Sequence, residues 1–105
     1  MHVVVETNAY IADAIDAGMS VGKREAVVTR LAHDPTAGDI MPGCGGARKL
    51  RVARPGAGKS GGYRVITYFA GIERPVFLLT VFAKGDKVNL SKGERNALAK
   101  LTRLL

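Results

Sequence analysis

Between Asp39 and Glu73 this chain of 105 residues has no carboxylate. The same stretch, Ile40 to Ile72, holds six cations (Arg48, Lys49, Arg51, Arg54, Lys59 and Arg64) and eight of the thirteen glycines. A cationic segment without acids of its own cannot neutralise itself, so its charge points to an external polyanion, nucleic acid first. Cysteine is nearly absent. Cys44 stands alone, which excludes an internal disulfide and suits a reducing, cytoplasmic setting. Long apolar runs are absent too: the longest, Val76 to Ala83, is far short of the roughly 20 residues a membrane span needs. Val3-Val4-Val5 runs straight into Glu6, with neither a basic start nor a cleavage site, so no signal peptide and no membrane partner is expected. His2, His33 and Cys44 show no ligand spacing, and neither a metal nor another cofactor is expected.

What is present is a globular composition, 47% hydrophobic and 24% charged, with a net charge of +7. One domain over residues 1–105 is expected, able to bury about two thirds of its unfolded surface without disulfides. His2 to Glu6 reads as a strand, and Thr7 or Asn8 can cap the helix that follows. Tyr10, Ile11, Ala14 and Ile15 make its apolar stripe, and Gly18 ends it. Ser20 caps a second helix with Val27, Val28, Leu31 and Ala32 on one side, stopped by Asp34-Pro35. Pro35 to Gly46 reads as a loop. The apolar period then changes from 3.6 to 2, and three strands are expected: Ala47 to Arg54, Tyr63 to Ala70 and Val76 to Lys84, the last two joined by the turn Gly71 to Pro75. Ser91-Lys92-Gly93-Glu94 is a capping box, opening a helix to the C-terminus with Leu98, Leu101, Leu104 and Leu105 on one stripe and Lys92, Arg95, Lys100 and Arg103 on a basic outer face. The order β-α-α-β-β-β-α predicts an α+β fold, a small antiparallel sheet with two N-terminal helices packed on one face and a C-terminal helix.

Two phosphate-binding patterns in the glycine loop do not hold. Gly56-Ala57-Gly58-Lys59-Ser60-Gly61 fits G-x-G-x-x-G, but a strand follows where a helix should receive the pyrophosphate. Gly58-Lys59-Ser60 lacks both the first glycine of a P-loop, where Ala53 stands, and the helix after it. Cys44 has no local partner that would make it a nucleophile. What remains is Lys49, Arg51, Arg64 and Lys84 on three strands of a meander. Strands lie only about 4.8 Å apart, so these side chains can converge on one phosphate, although exposed face charges would show the same spacing.

Gly38 to Arg51, with its G-G-x-R-K-x-R core, and Gly56 to Phe69, with G-K-x-G-G-x-R, resemble the RelE/HigB family of toxins from type II toxin–antitoxin modules, most of all its HigB branch. The likeness includes Val5-Glu6-Thr7, Leu79 to Lys84 and Leu90-Ser91. The resemblance implies a ribosome-dependent endoribonuclease cutting mRNA in the A site. It also implies a cognate antitoxin, commonly HigA-like with a helix-turn-helix, in a toxin–antitoxin hetero-oligomer. The family's basic active-site positions fall on Lys49, Arg51, Arg64 and Lys84. Arg48, Arg54, Lys59 and Tyr68 are the accompanying RNA-binding candidates. Cys44 stands where a small hydroxyl residue is usual, Ala57 and Ser60 where cations are, Thr67 where tyrosine is frequent, and Gly85-Asp86 where Asn-Glu is commoner.

The chemistry expected is attack of a 2′-hydroxyl on its own phosphate, leaving a cyclic phosphate and a 5′-hydroxyl. No His or carboxylate lies in the basic cluster, so Lys49, beside Arg51, is the candidate base. Arg51 and Arg64 would stabilise charge on phosphorus, Lys84 would assist the leaving oxygen, and Tyr68 would stack on a base or serve the core. Two alternatives stay open: a ParE-like toxin that acts on DNA gyrase by protein binding, and an RNA-binding module without activity.

Overall fold

The computed structural model describes residues 1–53, 62–85 and 89–105. The elements are β1 (Val4–Glu6), α1 (Asn8–Asp16), α2 (Val21–His33), β2 (Asp39–Ile40), β3 (Arg48–Val52), β4 (Tyr63–Phe69), β5 (Val76–Ala83) and α3 (Lys92–Leu104). They form the expected α+β architecture around one sheet of order β1-β5-β4-β3-β2. β2 to β5 pair antiparallel, while β1 runs parallel to β5. Two features depart from the sequence reading: the parallel edge strand, and β2, which lies inside the segment read as a loop.

Short polar side chains set the helix starts. Thr7 Oγ1 accepts from the Tyr10 N–H at 3.2 Å and donates to the Leu78 carbonyl at 2.7 Å, so a single hydroxyl caps α1 and ties it to β5. Ser20 caps α2 through the Lys23 N–H. Ser91 and Glu94 close a reciprocal capping box on α3. Apolar burial then divides into two layers. Tyr10, Ala14, Val27 and Leu31 from α1 and α2 meet Leu50, Val65, Leu78 and Val81 on one side of the sheet. On the other, Leu98 of α3 and Leu105 just beyond it meet Ile66, Leu79 and Phe82 together with Cys44 and Ala47. A bulge shifts the alternation of β5. Ile66 pairs with Thr80 and Thr67 with Leu78, leaving Leu79 as the extra residue, so Leu78 and Val81, three apart, are buried in one layer and Leu79 and Phe82 in the other.

The α3 stripe differs from expectation. Leu98 and Thr102 are buried, whereas Leu104 is 84% exposed and Leu101 also faces out. The cause is the loop before β3. Gly45, at φ +67°, lies so close that an added Cβ would sit 2.1 Å from Thr102 Oγ1 and 3.1 Å from the Ala99 Cα. That contact turns the Ala99/Thr102 side of the helix inward. Ile15, placed on the α1 stripe by its period, is likewise exposed.

Candidate nucleic-acid interface

Register decides which cations share a face. Arg51 pairs with Arg64 and Arg64 with Phe82, so these three side chains form one row across β3, β4 and β5 on the α3 side of the sheet. Lys49 pairs with Ile66, and Ile66 with Thr80, in the next row. On the other side of the arginines, the Lys84 N–H donates to the Gly62 carbonyl at 3.1 Å, carrying the β4–β5 ladder one residue past β5. Lys49 and Lys84 therefore flank the arginine pair on opposite diagonals. Two strand spacings and four residue rises put their backbones roughly 16 Å apart, a gap that two long side chains largely close. Gly62 keeps the row tight, since a Cβ there would lie 2.6 Å from the Val52 carbonyl oxygen.

Arg64 is not an exposed face charge, the alternative its spacing left open: it is 4% exposed, with Nη1 donating to the Tyr63 carbonyl at 3.3 Å. Burial, with Arg51 opposite, pulls its guanidinium pKa below the ordinary arginine value. Among the described residues the only ion pair is Arg24–Glu6 at 3.0 Å, far along the sheet, so no described carboxylate neutralises the arginine pair. A carboxylate does enter the region from β2, where Asp39 stands opposite Lys49. The sequence reading placed no acid in the cluster, and Asp39 borders it only because β2 folds back on β3.

Other candidates lie elsewhere. Arg48 is on the α1/α2 side of the sheet, with Nη1 donating to the Thr36 carbonyl. Tyr68 is half-buried in the α3 layer, four residues along β4 from Arg64. Thr67 is fully buried, so its side chain is no part of an RNA-facing surface. Cys44 is also fully buried, with Sγ 3.6 Å from the Pro42 carbonyl oxygen. Arg54 and Lys59 fall outside the described residues. One cation that sequence reasoning left on an outer helix face joins the site. Arg95, in the first turn of α3, lines a groove of about 400 Å³ with Lys49, Phe82, Asn89 and Leu90. Its signal was the capping box, which fixes where that turn begins.

Two arginines side by side on β3 and β4, one of them buried, with a lysine on each diagonal and a groove alongside, make this a small α+β protein with a concentrated positive charge that suits a polyanion. Residues 43–105 match the family described as the RelE toxin of the RelE/RelB toxin–antitoxin system, and the chain belongs to that family. Its fold is similar to that of an arginine double mutant of the E. coli toxin RelE in the free state: TM-score 0.59, 13% identity, covering 99% of this chain and 98% of that one. Membership makes the protein a toxin with an antitoxin partner. No helix among the described residues is long and apolar enough to cross a membrane.

Proposed function

We propose that this toxin is an endoribonuclease that cuts mRNA on the ribosome through attack of the 2′-hydroxyl on the adjacent phosphate. The observation that carries the reading is the pairing of Arg51 with a buried Arg64. Like charges directly opposite one another destabilise a sheet, and a buried guanidinium without a carboxylate costs more. A bound phosphate offsets that cost, and the pentavalent phosphorus, which carries more negative charge on equatorial oxygens that suit two forked donors, offsets it further.

The diagonal placement of Lys49 and Lys84 supports the same reading. Attacking and leaving oxygens lie roughly in line through phosphorus, and this chemistry needs a base on one side and an acid on the other. Lys49 takes the first role and Lys84 the second. The ribosome's part is alignment, since correct orientation is worth on the order of 7 to 11 kcal/mol and flexible RNA lacks it. The HigB-like motifs favour a HigA-like antitoxin with a helix-turn-helix, held with the toxin in a hetero-oligomer in the cytoplasm.

The test is to add purified toxin to a translating extract and map RNA ends. Cuts within A-site codons, bearing 2′,3′-cyclic phosphate and 5′-hydroxyl ends and absent from naked RNA, are the expected result. Intact mRNA together with inhibited gyrase would replace this reading with the ParE-like one.

A further inference from the structure

The geometry points to a nucleobase subsite beside the arginine row: the groove between β3 and the first turn of α3, with Arg95 reading the edge of the base. The identity of the ligand as RNA rests on the nuclease reading above; the groove and its chemistry do not.

Phe82 links the two regions. It stands opposite Arg64 in the row and also lines the groove, so the groove opens where the phosphate-binding positions end. Its apolar lining is Phe82, Leu90 and Met41, and its polar groups are Lys49 on the β3 side and Asn89 and Arg95 on the α3 side. A site for phosphate alone has no use for an apolar lining, and a purely apolar docking groove would not carry two cations. The two together match an unstacked base, whose faces pack on aromatic and apolar side chains while its edge accepts hydrogen bonds.

Arg95 suits the reading role for two reasons. Its backbone is fixed, because its N–H closes the first helical bond to the Ser91 carbonyl at 3.0 Å, directly behind the capping box. Its planar fork can also meet two acceptors on one base edge, which a lysine cannot do. The concavity lined by Asp13, Asp16, Thr80 and Glu94 does not compete for RNA, since its ionisable groups are carboxylates.

The test compares wild type, Arg95→Gln and Arg95→Lys by mapping cut codons on ribosomes. Both variants are expected to cut a redistributed set of codons, with preference at one codon position relaxed about ten- to a hundredfold. A uniform loss at all codons, or a wild-type map restored by Arg95→Lys, would reduce Arg95 to a point charge and overturn the inference. A binding arm needs no catalysis. The four ribonucleoside 5′-monophosphates should shift the NMR resonances of Met41, Asn89 and Leu90, and inorganic phosphate should not; equal shifts from phosphate overturn the base subsite. Nucleotide-specific shifts in a protein that cuts no mRNA would sustain the subsite while the nuclease reading fails.

Discussion

Arg51 and Arg64 face each other across β3 and β4 in direct register, the second of them buried. A sheet gains nothing from this pairing, and the energetic conflict separates function from stability at one residue. In Arg64→Met the side chain keeps its packing stem and loses its charge. Cleavage should fall by at least a hundredfold while Tm stays level or rises by a few degrees. Calorimetry alongside the ribosomal cleavage assay checks both, and a clear fall in Tm would mean that Arg64 holds the sheet together.

Asp39 opposite Lys49 raises the question of which of them takes the proton. If Lys49 is the base, Asp39→Asn leaves the cleavage rate within a few fold and tightens non-specific binding to single-stranded RNA, because one repulsive charge has gone. Fluorescence anisotropy over a salt series measures the binding, where log affinity falls by about 0.7 per neutralised phosphate against log salt. A dead, folded Asp39→Asn would transfer the base role to the aspartate.

Tyr10 gives the fold an alkaline limit. Burial first, then the Glu6 carboxylate, raises its phenol from 10.0 to about 12, against a smaller opposing effect of Arg24. Below pH 10 the phenol is neutral in both states and contributes no pH dependence. Between pH 10 and 12 the unfolded chain ionises first, so stability falls with rising pH, by about 2 to 3 kcal/mol in all. Tyr10→Phe should remove this part of the decline at little cost near neutrality, since among the described residues the hydroxyl's partner is the weakly accepting Met19 sulfur at 3.7 Å. Urea unfolding of both proteins at several pH values measures the difference.

The loop that seats α3 is testable through two glycines. Gly43 and Gly45 both have positive φ, but a Cβ on Gly43 meets nothing within 4 Å while one on Gly45 runs into Thr102 and Ala99. Gly43→Ala should cost only the backbone strain, about 1 to 2 kcal/mol. Gly45→Ala should cost more and expose α3, seen as faster amide exchange at Leu98 and Thr102. Equal costs would show that the loop does not seat the helix.

These elements also show what the sequence could reveal. The caps Ser20 and Ser91 act within three residues, so they were readable directly, and the α1 cap was narrowed to Thr7 or Asn8, of which the fold uses Thr7; the period-2 face of β3 carrying Lys49 and Arg51 was readable as well. β2 was not readable: Asp39–Ile40 is two residues long, and two residues have no period. Leu98-Leu101-Leu105 and Leu98-Thr102-Leu105 are both acceptable helical stripes, and only the approach of Gly45, fifty-odd residues earlier, chooses between them. The burial of Arg64 and the arrival of Arg95 depend on how β3, β4, β5 and α3 assemble, which no local pattern encodes.

The opposed placement of the two lysines leads to the most specific chemical prediction. If Lys84 delivers the proton to the departing 5′-oxygen, its loss matters only while that oxygen is a poor leaving group. Lys84→Ala should therefore cut ordinary mRNA at least a hundredfold more slowly than wild type, yet recover most of the deficit on a message whose scissile 5′-oxygen is replaced by sulfur, because a thiolate leaves without protonation. Lys49→Ala should stay slow on both messages, since the attacking 2′-hydroxyl still has to lose its proton. Single-turnover cleavage on programmed ribosomes measures all four rates. If sulfur rescues both variants equally, the lysines supply charge alone and the in-line base and acid assignment fails; if it rescues neither, Lys84 is not the acid.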